Sequence, residues 1–174
     1  KLVPNASLMV GRIELPIGKE GVSMTKGAAM MKNAMIGDSA LADNGITGAP
    51  LDYGMALKTT LSTVNCLAAI TNGNSGTIQD NNGDKNILLN LGSDIKAIHG
   101  LSLAASYMTN DAAGNNATDE ATKMVIDAVY AMKALTVGIA YGNGETDKGT
   151  KTESSGLGCE VSYTVNDACS VAVR

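Results

Sequence analysis

From Lys85 to Tyr163 apolar and polar residues alternate along runs of roughly ten, each closed by a break. A period of two belongs to a β-strand with one apolar face. Lys85–Lys96 sets Ile87, Leu89, Leu91 and Ile95 against Asn86, Asn90, Asp94 and Lys96, with Leu88 alone out of character. Leu101–Thr109 follows with Leu101, Leu103, Ala105 and Tyr107 on one parity. Thr122–Met132 opposes Met124, Ile126, Ala128 and Tyr130 to Lys123 and Asp127. Leu135, Val137, Ile139 and Tyr141 continue the apolar side, and Leu157, Cys159, Val161 and Tyr163 close the set opposite Glu160, Ser162 and Thr164.

The same pattern predicts strands on either side of this stretch. Ala6–Ile17 places Met9, Ile13, Leu15 and Ile17 on one parity and Arg12 and Glu14 on the other, with Pro16 near its end. Gly45–Met55 carries Leu51 and Tyr53 opposite Asp52 and Gly54, and Thr59–Ile70 carries Val64, Cys66, Ala68 and Ile70 together. Ala168–Arg174 begins a ninth strand. Between the strands, long connections (18–44, 71–84, 110–121, 143–152) alternate with short ones (56–58, 97–100, 133–134, 166–167). A soluble sandwich has no reason to sort its loops in this way, whereas a transmembrane barrel has short turns at one end and long loops at the other. Runs of about 9–11 residues also suit a tilted strand that crosses a bilayer. The expected fold is therefore all-β, an antiparallel up-and-down transmembrane β-barrel in one domain over 1–174, incomplete at its ends and part of a larger, even-stranded barrel.

Composition sharpens this picture. The chain has 20 Gly and 9 Met but neither Phe nor Trp, so an ordinary soluble core lacks its bulkiest fillers. The absence of Phe and Trp also thins any aromatic girdle to five tyrosines. With the first strand rising outward, Tyr107 and Tyr141 fall at the external membrane interface, and Tyr53, Tyr130 and Tyr163 at the periplasmic one. A net charge of −4 without a basic cluster argues against nucleic acid. No run of about 20 apolar residues exists to form a membrane helix, which leaves a barrel open. Cys66, Cys159 and Cys169 have no C-x-x-C spacing and lie on apolar parities, as small hydrophobes do.

Several segments resemble bacterial outer-membrane porins. Val10–Gly21 (VGRIELPIGKEG) is similar to a strand end of general porins of the LbtU-like kind, with Ile17 where those often carry Phe. Asp43–Tyr53 (DNGITGAPLDY), Gly100–Tyr107 (GLSLAASY), Leu135–Tyr141 (LTVGIAY) and Gly158–Arg174 are similar to porin strands and hairpins. The resemblance implies a Gram-negative outer-membrane channel in contact with outer-membrane lipid. Small hydrophilic solutes or ions would diffuse passively through it, and its barrels would associate as a homo-oligomer such as a trimer.

If the apolar parity faces lipid, the other parity lines the pore: Arg12, Glu14, Asp52, Asn86, Asn90, Asp94, Lys123, Asp127, Glu160 and Arg174, with Asn65 and Lys96. Acidic and basic groups nearly balance in that set, so no charge preference follows. Asp80, Asn82 and Asp84 surround Gly83 as in a turn and lack the Gly and Glu positions of a Ca²⁺ loop. His99 stands alone in a short connection. No nucleophile elbow or phosphate-binding loop is present, so no catalytic set, metal site or cofactor is expected. Thr25–Leu41 has Ala and Met at helical spacing and admits two readings, a constriction inside the pore or a cover at the rim or on a neighbouring subunit. The alternative from another class is a secreted or surface β-sheet assembly protein that packs its apolar face on another subunit.

Overall fold

The computed structural model describes residues 5–15, 17, 51–72, 85–110, 120–147, 149–166 and 169–173. Nine strands run through them: β1 (Ser7–Glu14), β2 (Leu51–Leu61), β3 (Val64–Thr71), β4 (Asn86–Asp94), β5 (Leu101–Asn110), β6 (Glu120–Met132), β7 (Leu135–Asp147), β8 (Lys151–Asn166) and β9 (Cys169–Val173). Each strand pairs antiparallel with the next in sequence, giving one sheet in the order β1 to β9. This is the expected up-and-down topology, and no helix occurs among the described residues.

Three turns depart from the pattern-based expectation. The chain does not turn at 56–58: β2 runs through that stretch and turns at Ser62–Thr63, with Ser62 at φ 58°. Leu61 pairs with Val64, so the hairpin is tight, but Ser-Thr carries none of the Asn-Gly chemistry that marks such turns in a sequence. The expected loop 143–152 is mostly strand, because β7 extends to Asp147 and β8 starts at Lys151. Both faces are polar there, so alternation gives no signal; Lys151 Nζ meets Glu145 Oε2 at 2.8 Å and the Gly149 amide donates to Asp147 Oδ1 at 3.0 Å. Lys96, which the pattern put on a strand, lies exposed in the connection between β4 and β5, where His99 was already expected.

Cross-strand register decides which parity each strand turns to which face, since a slip of one residue reverses every side chain. Every buried residue among those described lies on one face, including Ile13, Asp52, Ala56, Ala69, Thr71, Asn86, Leu88, Ser106, Met108, Val125, Asp127 and Ala140. Every exposed large hydrophobic residue on a strand lies on the other face, from Leu8 and Val10 through Met55, Ile70, Leu89, Tyr107, Ile126 and Tyr141 to Leu157 and Val171. The first face is called inner below, and the second outer.

Glycine is required where β5 begins. Gly100 adopts φ +86°, and a Cβ there would collide with the carbonyl oxygen of Ala131. The Ala131 amide donates to the Gly100 carbonyl at 2.8 Å, so the close approach is held by a hydrogen bond. Gly149 has a similar φ of +79° but open space around it. Gly149→Ala should lower stability by about 1 kcal/mol, the cost of a left-handed conformation alone. Gly100→Ala should cost distinctly more, about 2–3 kcal/mol, because backbone must also move. Equilibrium unfolding in urea, compared between the two variants, measures the difference.

A two-faced wall as the candidate functional site

The outer face is a continuous apolar surface. One row of paired residues reads Leu8, Leu57, Ala68, Leu89, Tyr107, Met124, Asn143 and Ser155 from β1 to β8. The next row toward the long connections reads Val10, Met55, Ile70, Ile87, Thr109, Thr122, Glu145 and Glu153. Both begin apolar and end polar, so the edge of the apolar band crosses the rows diagonally.

The slope can be measured. On β8 the upper apolar residue is Leu157, and its row leads back through Tyr141, Ile126, Ala105, Leu91 and Cys66 to Thr59 on β2. The upper tyrosine on β2 is Tyr53, six positions from Thr59 after six strand-to-strand steps. One residue per strand, at about 3.3 Å rise and 4.8 Å strand spacing, is a tilt of roughly 35° between strands and the normal to the band. Strands in barrels tilt by about 35–45°. On β6 the outer face stays apolar from Met124 to Met132, roughly 26 Å along the strand and about 22 Å along that normal. The apolar band of outer-membrane barrels is about 25 Å tall.

The tyrosines mark both edges, with one correction. Tyr107 and Tyr141 lie at the end of the long connections, and Tyr130 and Tyr163 at the end of the short turns. Tyr53 joins Tyr107 and Tyr141, not Tyr130 and Tyr163, because the turn after β2 comes at 62–63 and Tyr53 starts the strand. Beyond Tyr141 and Leu157 the β7–β8 hairpin is polar on its outer face, carrying Asn143, Glu145, Glu153 and Ser155. There the hydrogen bond and charge of Glu145 hold the Lys151 ammonium above the ordinary lysine range. A cavity of about 660 Å³ opens on this side, lined by Tyr107, Met124, Tyr141 and Glu153 among others. Lys123, Gly144 and Ser154 of the inner parity also line it.

The inner face carries most of the polar residues that the sequence singled out. Asp52, Asn86, Asn90, Asp94, Lys123, Asp127 and Glu160 all lie on it. Ser102 Oγ donates to Asp94 Oδ1 at 2.6 Å. Arg12 and Glu14 do not belong there. Register places Arg12 opposite Tyr53 and Glu14 opposite Leu51, on the outer parity, while Ile13 faces inward opposite Asp52. The first half of β1 is apolar on both parities (Leu8, Met9, Val10), so only pairing with Met55 and Leu57 of β2 could orient it. Arg12 sits at the edge of the apolar band, where a long stem can lie on apolar surface with its charge in water. Arg174, Asp80, Asn82, Asp84 and the Thr25–Leu41 segment lie outside the described residues.

Alternation did not reveal a feature of the upper inner wall. Ile13, Leu15, Ile17, Ala56, Ala69, Leu88, Met108 and Val125 form one buried apolar cluster, with Met9 and Leu67 against it. Asn86 Nδ2 donates to Met108 Sδ at 3.6 Å beside it. Thr71 Oγ1 and Asn86 Oδ1, on directly paired residues, are buried without a hydrogen-bond partner among the described residues. The one sequence signal was Leu88, the apolar residue on an otherwise polar parity. No group of three or more metal-ligating side chains occurs among the described residues.

An apolar outer band, tyrosines at its edges, a charged inner wall and an antiparallel meander are the parts of a membrane-spanning barrel. No curated protein and no solved structure matches the chain significantly. The Gram-negative porin family matches residues 26–174, nearly the whole of the sheet from β2 to β9. The chain belongs to the Gram-negative porin family, the outer-membrane β-barrel channels.

Proposed function

We propose that the nine strands form part of the wall of a water-filled outer-membrane pore that passes small hydrophilic solutes or ions by diffusion and catalyses no reaction. The observation that carries this reading is the complete separation of faces: an apolar outer band of bilayer height against an inner wall with six charged side chains among the described strand residues, Asp52, Lys58, Asp94, Lys123, Asp127 and Glu160. A soluble assembly subunit would need a partner surface as broad as the band to cover it. Hydrocarbon covers it without one. Tyr53, Tyr107, Tyr130, Tyr141 and Tyr163 then stand at the membrane interfaces. The likeness to LbtU-like porins rests on 10–21, which precedes the family match, and association into trimers rests on the same resemblance.

β1 and β9 run in the same direction, because eight antiparallel steps separate the two edges. Closing the wall with antiparallel pairs throughout requires an odd number of further strands, which makes an even total. Two copies of this sheet joined edge to edge would meet in parallel and do not satisfy that requirement.

The apolar cluster, with Leu88, Met108 and Val125 at 1%, 0% and 0% exposure, is the part of the inner wall that does not border water.

Conductance in a planar bilayer tests the function: discrete channel steps are expected, and a detergent-free soluble monomer without steps would refute it. Ile126→Arg, on the outer face near mid-height, should destabilise the inserted barrel by about 2–4 kcal/mol, read by urea unfolding in lipid vesicles.

A further inference from the structure

The short turns make up the lower rim of the sheet, and a hydrogen bond ties each described one to the next strand. Ser93 Oγ on β4 donates to the Thr63 carbonyl in the β2–β3 turn at 3.1 Å. The Ala131 amide on β6 donates to the Gly100 carbonyl at the end of the β4–β5 turn at 2.8 Å, and the Thr164 amide on β8 donates to the Ala134 carbonyl in the β6–β7 turn at 2.8 Å. The side chains of these turns therefore project from a fixed edge, and a surface fixed beforehand loses little freedom when it binds.

The charge of that rim is one-sided. Tyr130 pairs with Leu101 and Val137, and Val137 with Val161, which marks one row across β5 to β8. Between that row and the turns, the charged side chains among the described residues are Lys96 in the β4–β5 turn and Lys133 in the β6–β7 turn, both exposed, and no carboxylate accompanies them. The exposed imidazole of His99 shares the turn of Lys96. The two turns are neighbours, because Gly100, which follows His99, bonds to Ala131, two residues before Lys133. Apolar side chains stand exposed among them: Ile98, Met132 and Val165. At the opposite end of the band the sign reverses. Beyond Tyr141 and Leu157 the outer face of β7 and β8 carries Glu145, Asp147 and Glu153 against Lys151 alone.

We propose that the rim of short turns, through Lys96 and Lys133, binds the headgroups of anionic phospholipids in the periplasmic leaflet. This proposal rests on the porin reading above, which sets the apolar band in hydrocarbon and the short turns at the periplasmic side. The rim continues that band without a break, so lipid is what lies against it. Ile98, Met132 and Val165, closer to the turns than Tyr130 and Tyr163, reach the boundary between acyl chains and headgroups, as the apolar residues of interfacial segments do. Long lysine stems lie along such apolar surface and carry their ammonium groups out to the level of the phosphates. An anionic headgroup gains from two cations held on one edge, whereas a zwitterionic one has no net charge to offer them.

Native mass spectrometry of the full chain, folded in detergent with an equimolar mixture of phosphatidylglycerol and phosphatidylethanolamine, tests this. The wild type should retain phosphatidylglycerol in preference. Lys133→Gln and Lys96→Gln should each lower that preference about fivefold, the effect expected of one lysine at an anionic surface. Lys151→Gln, at the external end, should leave it unchanged. Equal retention of the two lipids, or a preference lost with Lys151→Gln and kept in the Lys96→Gln/Lys133→Gln double variant, would overturn the proposal in a chain that still gives channel steps. A chain that gives no steps in a planar bilayer would instead overturn the porin reading itself.

Discussion

A backbone amide or carbonyl that enters hydrocarbon unpaired costs several kcal/mol, and the rest of this structure follows from avoiding that cost. Each strand is paired with its sequence neighbour along nearly its whole length, thirteen residue pairs between β6 and β7 and thirteen between β7 and β8. Pairing of that extent fixes register, and register fixes faces. One parity of each strand is committed outward across the sheet, without a large exposed hydrophobic residue on the inner face of any described strand.

The outer and inner surfaces are then consequences of one geometric operation but obey different chemistry. Outward, Leu, Ile, Val, Met and Tyr satisfy a solvent that offers no hydrogen bonds. The band they form is oblique to the hydrogen-bonded rows because the strands tilt, which explains why Thr109, Thr122, Glu145 and Glu153 share a row with Val10 and Met55 yet are polar. Inward, the upper wall is apolar and buried while the lower wall keeps Lys58, Thr60, Asn65 and Asp94 exposed. The inner surface is thus divided by height into a buried apolar part and an exposed polar part.

Much of this was legible in the alternation of residues from Lys85 to Tyr163. Those strands are apolar on one parity and mostly polar on the other, so their faces could be assigned one strand at a time. Boundaries were harder where that contrast fades. Ser62–Thr63 turns the chain with residues that also occur in strands, and Gly142–Glu153 continues a hairpin with residues that usually signal loops. The displacement of the first of these turns carried Tyr53 to the opposite edge of the band.

The sequence by itself determined that the chain is an all-β meander with one lipid-compatible parity, because period-two patterning depends only on the local geometry of an extended backbone. It also put Asp52, Asn86, Asn90, Asp94, Lys123, Asp127 and Glu160 on the parity opposite the apolar one. Only the tertiary structure decided that Arg12 turns outward and Ile13 inward, since a strand apolar on both parities takes its orientation from the partner it pairs with. It alone joined Ile13, Leu15, Ile17, Leu88, Met108 and Val125 into one cluster, because those residues are distant in the chain and meet through register. Depth along the wall was likewise a tertiary property: it depends on tilt, and tilt is a relation between strands that no single strand contains.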